Sequence, residues 1–222
     1  MVVAGGTGSR FGGPKQFLPL AGLPVVAWSI RAASSVVDGV VLVVPAGGTA
    51  PAGSDLPAPG ATGDAALGAT CVVAGGATRA GSVRAGLAAV PADAAIVVVH
   101  DAARPLAAPA LFASVVDAVR TGDLAGAVPV VPIADTVKRV AHGRVVATVD
   151  RSDLVAIQTP QAFAADALRA AHRDGGEATD DAGLLEAAGL AVGTVPGDPR
   201  NLKLTRAEDL SLAEALLAGA HR

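Results

Sequence analysis

The string Ala4-Gly-Gly-Thr-Gly-Ser-Arg10-Phe-Gly-Gly-Pro14-Lys15-Gln-Phe-Leu18 decides the fold. Residues 1–4 read as a strand. The chain leaves it through glycines that let backbone N–H groups approach a bound phosphate closely. Neither common phosphate loop fits. A P-loop needs Gly-Lys followed by Ser or Thr, and Pro14-Lys15-Gln16 stands here; the dinucleotide fingerprint needs a third glycine opening a helix, and Arg10-Phe11 occupies that place. What remains is a glycine loop with two cations, Arg10 and Lys15, five residues apart after a first strand. That arrangement suits a polyphosphate at the ligand edge of a parallel sheet. The strand is short for a buried one, which suggests that residues precede Met1.

Working outward, apolar runs and helical patterns alternate. Pro24 at a first-turn position opens a helix through about Ser34. Residues 36–44 form a continuous apolar run ended by Pro45, as expected of a parallel strand buried on both faces. The Pro-, Gly- and Ala-rich stretch 45–63 reads as a mobile surface loop. Strands follow at 69–74, at 95–99 ending on His100, at 125–131 and at 190–195. Helices are expected at 79–90, 109–120, 164–173 and 180–188. A last helix begins at Thr205-Arg-Ala-Glu208, which fits a capping box. Residues 132–152 break the alternation. Two β-prone pieces flank Ala141-His142-Gly143 and predict a hairpin arm that leaves the sheet. The expectation is an α/β fold, a Rossmann-like three-layer sandwich with a mostly parallel sheet and a protruding β-hairpin arm. It forms one domain over residues 1–222, with 132–152 as the arm. Ligands in such folds bind at the carboxyl ends of the strands.

Composition narrows the function. The chain has 222 residues, a net charge of −3, four Phe, one Trp and no Tyr. With so few aromatics and no long basic run, stacking platforms for single strands and a duplex-binding face are both disfavoured, so no nucleic-acid partner is expected. The one cysteine, Cys71, sits in an apolar run and reads as a buried, inert thiol; neither an internal disulfide nor a thiolate zinc cluster can form. No leader opens the chain and no run is long enough to span a membrane, so the expectation is a soluble cytoplasmic protein without a membrane partner.

Residues after the apolar runs carry the chemistry. Asp101, in His100-Asp101-Ala-Ala-Arg104-Pro105, ends a buried strand; beside a polyphosphate it is a natural Mg²⁺ ligand. His100 reads as structural rather than catalytic. Gly75-Gly76-Ala77-Thr78-Arg79-Ala80-Gly81-Ser82-Val83 places glycines and a hydroxyl at the start of a helix. Asp135-Thr136-Val137-Lys138-Arg139 and Thr148-Val149-Asp150-Arg151 form the arm. Gln158-Thr159-Pro160-Gln161, Thr179-Asp180-Asp181 and Asn201-Leu202-Lys203-Leu204-Thr205 complete the set.

Taken together and in order, these strings resemble the cytidylyltransferase branch of the nucleotidyltransferases that activate sugar phosphates, and within it the 2-C-methyl-D-erythritol 4-phosphate cytidylyltransferases. The resemblance spans nearly the whole chain; the loop after Pro45 has no match. It implies transfer of CMP from CTP to a small polyol phosphate in isoprenoid precursor synthesis, with Mg²⁺. In the family the loop at Ala4, Gly5, Gly6, Thr7 and Gly8 wraps the CTP triphosphate, and Arg10 and Lys15 stabilise charge at the α-phosphorus. Gly76 and Ser82 hold the cytosine; Ala77 stands where some members carry an acid. Asp101 meets the metal or the acceptor, with Arg104 and Thr159 in the substrate site. Arms of two subunits embrace in a homodimer, so that Thr136 and Arg151 of one chain reach the acceptor phosphate positioned by Lys203. The role of Thr179-Asp180-Asp181 stays open between structure and acceptor binding. A ribitol 5-phosphate enzyme and a non-catalytic nucleotide-binding protein are the alternatives. A dehydrogenase is disfavoured by the missing third glycine and by Pro45, which stands where an acidic residue would hold a ribose.

Overall fold

The computed structural model describes residues 1–6, 11, 13–46, 60, 67–173 and 178–219. In chain order its strands are β1 (Val2–Val3), β2 (Pro19–Leu20), β3 (Leu23–Pro24), β4 (Val41–Val44), β5 (Cys71–Ala74), β6 (Ile96–Asp101), β7 (Gly126–Pro132), β8 (Lys138–Ala141), β9 (Arg144–Thr148), β10 (Val155–Ile157), β11 (Gln161–Ala164) and β12 (Val192–Pro196). The helices are α1 (Val25–Ser34), α2 (Arg79–Ala89), α3 (Pro109–Thr121), α4 (Ala165–Arg173), α5 (Asp181–Ala187) and α6 (Glu208–Gly219).

Eight of these strands make one sheet. β5, β4, β1 and β6 run side by side and parallel. β11 pairs antiparallel with both β6 and β7, and β12 pairs parallel with β7 on its other edge. Six strands therefore point one way, while β10 and β11 run against them along the same side of β7. Side chains alternate across the sheet, as the strand period of two requires. Val2, Leu42, Val44, Val98 and Ala162 pack with Ile30 of α1 and Phe112 and Val115 of α3. Val41, Val43, Val97, Val99 and Phe163 pack on the other face with Val83 of α2, Leu168 of α4 and Leu185 of α5. Helix, sheet and helix give the three layers expected. α6 closes one end, where Ala213 meets Leu20, Val25 and Leu204.

The boundaries differ from the sequence reading in physically explicable ways. Pro24 is the N-cap of α1 and lies outside its first turn. The run 36–44 yields a strand only over Val41–Val44, because the amides of Val36 and Val37 still bond the Ala33 carbonyl at the end of α1. The strand expected from 69 begins at Cys71, which is half-buried. β10 and β11 were not foreseen. They are short and separated by Thr159-Pro160, and Gln161 looks polar in sequence although it is almost completely buried. At α6 the capping carboxylate is Asp209 and not Glu208: Asp209 Oδ2 accepts from the Thr205 amide at 2.6 Å, the Thr205 hydroxyl at 2.9 Å and the Arg206 amide at 2.8 Å. Most of the loop 45–63 lies outside the described residues.

The arm is the expected hairpin. His142 and Gly143 both have positive φ, 48° and 75°, the two-residue turn whose twist matches the flanking strands. Val140, Val145 and Val146 on the arm are more than half exposed.

β11 joins the two halves of the sheet, and Gly126 on β7 permits the join. A Cβ at Gly126 would lie 2.5 Å from the Phe163 ring, which is wholly buried and cannot retreat. Gly126→Ala should lose about 1–3 kcal/mol of stability, the range for overpacking a filled core. A urea titration would show this as a lower midpoint at unchanged slope.

Candidate active site

β1 has β4 on one side and β6 on the other, so the strand order reverses there and a crevice opens at the carboxyl ends. The crevice is a cavity of about 410 Å³. Ala4, Gly5 and Gly6 leave β1 into it, Gly76, Ala77, Thr78 and Arg79 enter it after β5, Asp101 ends β6 in it, and Lys15, Ser82 and Lys203 complete the wall. Another groove of similar size, about 450 Å³, lies between α1 and α6; its walls include Trp28 and Leu217 and none of the site residues expected from the sequence.

Backbone approaches on the glycine-rich side of the cavity are close. Ser82, in the first turns of α2, points its hydroxyl between two glycines: a Cβ on Gly5 would come within 2.9 Å of Ser82 Oγ and one on Gly75 within 2.7 Å. The hydroxyl donates to the Gly76 carbonyl at 3.4 Å. A Cβ on Gly76 would lie 2.8 Å from the Gly81 backbone, so only glycine lets this turn rest on the start of α2. Thr78 caps that helix, accepting from the Gly81 amide at 3.0 Å. Gln16, which the sequence reading passed over, donates to the carbonyls of Ala4 at 2.6 Å and Gly6 at 2.9 Å and fixes the chain where it leaves β1. Its signal was its place directly after Lys15.

Charge gathers on the other side. Lys203 Nζ donates to Asp101 Oδ2 at 2.7 Å, and Arg79 Nε lies 3.5 Å from Asp101 Oδ1. Burial pushes the Asp101 carboxyl up, but Lys203 and Arg79 outweigh it and hold the pKa at about 2, so the group is ionised. Behind it, the Asp101 amide donates to Thr159 Oγ1 at 3.0 Å, Thr159 Oγ1 meets His100 Nδ1 at 3.2 Å, and His100 Nε2 meets the Arg104 carbonyl at 3.2 Å. A carbonyl can only accept, so Nε2 carries the ring proton and Nδ1 accepts from Thr159. His100 is structural, as expected.

The sequence-derived residues divide into groups. Ala4, Gly5, Gly6, Lys15, Gly76, Ser82, Asp101 and Lys203 converge on the cavity. Thr7, Gly8 and Arg10 lie outside the described residues. Thr159 sits behind Asp101. Arg104 donates to the carbonyls of Asn201 at 2.8 Å and Ile157 at 3.4 Å, and so ties the Lys203 loop to β10. Thr136 and Arg151 belong to the arm region, where the Arg151 guanidinium donates to the carbonyls of Ile133, Ala134 and Asp135. Glycine turns, an ionised carboxylate and the cations Lys15, Arg79 and Lys203 around one cavity can hold a polyphosphate and stabilise charge that develops on it.

The family model for IspD, 2-C-methyl-D-erythritol 4-phosphate cytidylyltransferase, matches residues 1–219. The chain belongs to that family. It is 47% identical to the 2-C-methyl-D-erythritol 4-phosphate cytidylyltransferase of Nocardia farcinica, covering 98% of this chain and 92% of that one. It is 46% identical to the bifunctional enzyme IspD/IspF of Clavibacter michiganensis, of which it spans 54%. The crystal structure of the Thermus thermophilus cytidylyltransferase superposes with a TM-score of 0.77 at 35% identity, covering 98% of both chains. In this cytidylyltransferase-family chain, Arg79 is the cavity-lining cation that the sequence reading quoted within its motif but gave no role.

His100 also couples stability to pH. Burial lowers its pKa from 6.5 to about 4. The unfolded chain therefore binds a proton that the folded chain resists. The contribution is fully present above pH 6.5 and is lost as pH falls through about 4. Denaturant unfolding at pH 7 and pH 4 should differ by about 3 kcal/mol from this group, and the slope between those values should flatten in His100→Gln.

Proposed function

We propose that the chain transfers the cytidylyl group of CTP to 2-C-methyl-D-erythritol 4-phosphate, yielding 4-diphosphocytidyl-2-C-methyl-D-erythritol and pyrophosphate in isoprenoid precursor synthesis. The observation that carries this reading is the convergence of Lys15, Arg79, Lys203 and ionised Asp101 with the Gly76–Ser82 turn on one cavity, in a chain of this family.

The acceptor is a phosphate monoester whose second pKa is near 6, so it is anionic at neutral pH and needs no general base. An oxygen of that phosphate forms the new bond to the α-phosphorus. The bond from the α-phosphorus to the bridging oxygen breaks, and pyrophosphate leaves with the electron pair. The protein is left with positioning and charge neutralisation. Lys15 faces the charge that builds at the α-phosphate, the role the family resemblance also gives Arg10; Lys203, with Thr136 and Arg151 reaching over from a second copy of the chain, holds the attacking phosphate. The turn at Gly76 and the Ser82 hydroxyl read the cytosine, and Arg104 and Thr159 keep the floor of the site in place.

Mg²⁺ fits this donor set. In such sites it takes one or two carboxylates and fills its shell with phosphate oxygens and water. Asp101 is ionised, and each of its oxygens, though facing a cation, keeps a second lone pair. Asp101 would hold the ion, which would neutralise triphosphate charge. The chain works as a homodimer in the cytoplasm. Support for the dimer comes from the arm: Val140, Val145 and Val146, with Val155 and Ile157 at its base, expose apolar surface that a second arm would cover.

Pyrophosphate release from CTP and Mg²⁺ should occur with 2-C-methyl-D-erythritol 4-phosphate and not with ribitol 5-phosphate. Release with ribitol 5-phosphate alone would overturn the acceptor, and release with neither would leave a nucleotide-binding protein. Lys15→Ala should lower kcat on the order of 10²-fold, the usual loss for one preorganised donor; near-normal turnover in single-turnover assays would remove Lys15 from this role.

A further inference from the structure

Thr179-Asp180-Asp181 is the one motif that the mechanism above does not use, and its aspartates have different surroundings. Asp180 is the N-cap of α5: its Oδ1 accepts from the Gly183 amide at 3.0 Å, and its Oδ2 accepts from Gln161 Nε2 at 3.1 Å. Asp181 begins the helix and is 1% exposed. A buried carboxylate is costly unless cations or donors surround it. Asp181 Oδ2 lies 2.9 Å from Arg79 Nη2, and its Oδ1 lies 2.9 Å from His172 Nε2. A carboxylate only accepts, so His172 Nε2 carries the proton on that side. His172 is itself buried, with its other ring nitrogen unpartnered among the described residues.

Arg79 thus spans two carboxylates. Its Nε faces Asp101 and its Nη2 is held by Asp181. Arg79 lines the cavity and Asp181 does not. Were the guanidinium held by Asp101 alone, it would turn as that carboxylate or an incoming phosphate drew it. The second carboxylate, braced by His172, removes that freedom. Resting on the proposed cytidylyl transfer, we infer that Asp181 is a positioning residue. Clamped between Arg79 and His172, it presets the Arg79 guanidinium at the cavity wall to receive the CTP triphosphate. It does not bind the acceptor: it lies outside the cavity, and a carboxylate would repel the acceptor's phosphate.

The test is a double-mutant cycle of Asp181→Asn and Arg79→Ala, with KM measured separately for CTP and for 2-C-methyl-D-erythritol 4-phosphate and folding checked by thermal melting. Asp181→Asn should raise KM for CTP on the order of tenfold, the loss typical of a charge-assisted contact, and leave the acceptor KM unchanged. Because Asp181 acts through Arg79, the double variant should be no worse than Arg79→Ala alone. Arg79→Lys provides a second reading if Asp181→Asn does not fold. A lysine is a point charge that cannot span both carboxylates, so it should lose as much CTP affinity as Asp181→Asn was expected to lose. Additive losses in the cycle, a rise confined to the acceptor KM, or wild-type kinetics in Arg79→Lys would overturn the inference. A wild-type chain that binds CTP without releasing pyrophosphate would fail the functional reading only, since the same cycle can be read as CTP dissociation constants. A wild-type chain that does not bind CTP at all would overturn both.

Discussion

The contact between Asp101 Oδ2 and Lys203 Nζ, 2.7 Å long, joins residues 102 positions apart in the chain. The site depends on it. Asp101 stands at the end of a buried strand beside β1, so its place is set by the sheet. Lys203 stands on a loop without regular structure, so its place is set by what the loop touches. Asp101 draws in Lys203 and Arg79 together. A lone buried carboxylate would protonate or recruit water; paired with two cations it stays charged and orders both.

Neutral groups do the rest of the fastening. Gln158 is almost wholly buried and holds the Lys203 loop by both ends of its carboxamide, donating to the Asp198 carbonyl at 2.8 Å and accepting from the Asp198 amide at 3.1 Å. Asn201 donates to the Thr159 carbonyl at 2.9 Å, and Arg104 donates to the Asn201 carbonyl. The loop after β12 is thereby sewn to the turn between β10 and β11. Asn201 Oδ1 and Arg104 Nε find no partner among the described residues, but the bonds that are made limit side-chain motion. A cation held ready spares the reorganisation that a flexible one would undergo when charge develops.

The layered fold was legible in the sequence because its strands are continuous apolar runs and the pauses between them are Gly- and Pro-rich. The glycine loop, Asp101 and Lys203 were legible because they follow those runs. β10 and β11 were not legible. Their residues are few, Pro160 interrupts them, and the pairing that defines them is with β6 and β7, distant in sequence. Gln16 and Asp181 were equally hidden as contributors. Gln16 works through the carbonyls of Ala4 and Gly6, and Asp181 through a guanidinium, and no local spacing signals such partners. The capping carboxylate at Asp209 shows the same limit on a small scale: two adjacent acids compete for one cap, and only the backbone path selects between them.

The reversed strand β11 also governs the order in which the molecule can be completed during synthesis. β6 and β7 are both made before it, yet they do not pair with each other; each meets β11. While the chain is emerging, the half of the sheet ending at β6 can form early, but β7 gains only the short β10 and is joined to that half only once residues near 164 have left the ribosome, and β12 must follow still later. At ordinary elongation rates of about 5–20 residues per second, β7 and the exposed arm after it wait for seconds with an open edge. The nascent protein is therefore most vulnerable to wrong strand pairing in the interval between making its arm and making the strand that closes its sheet.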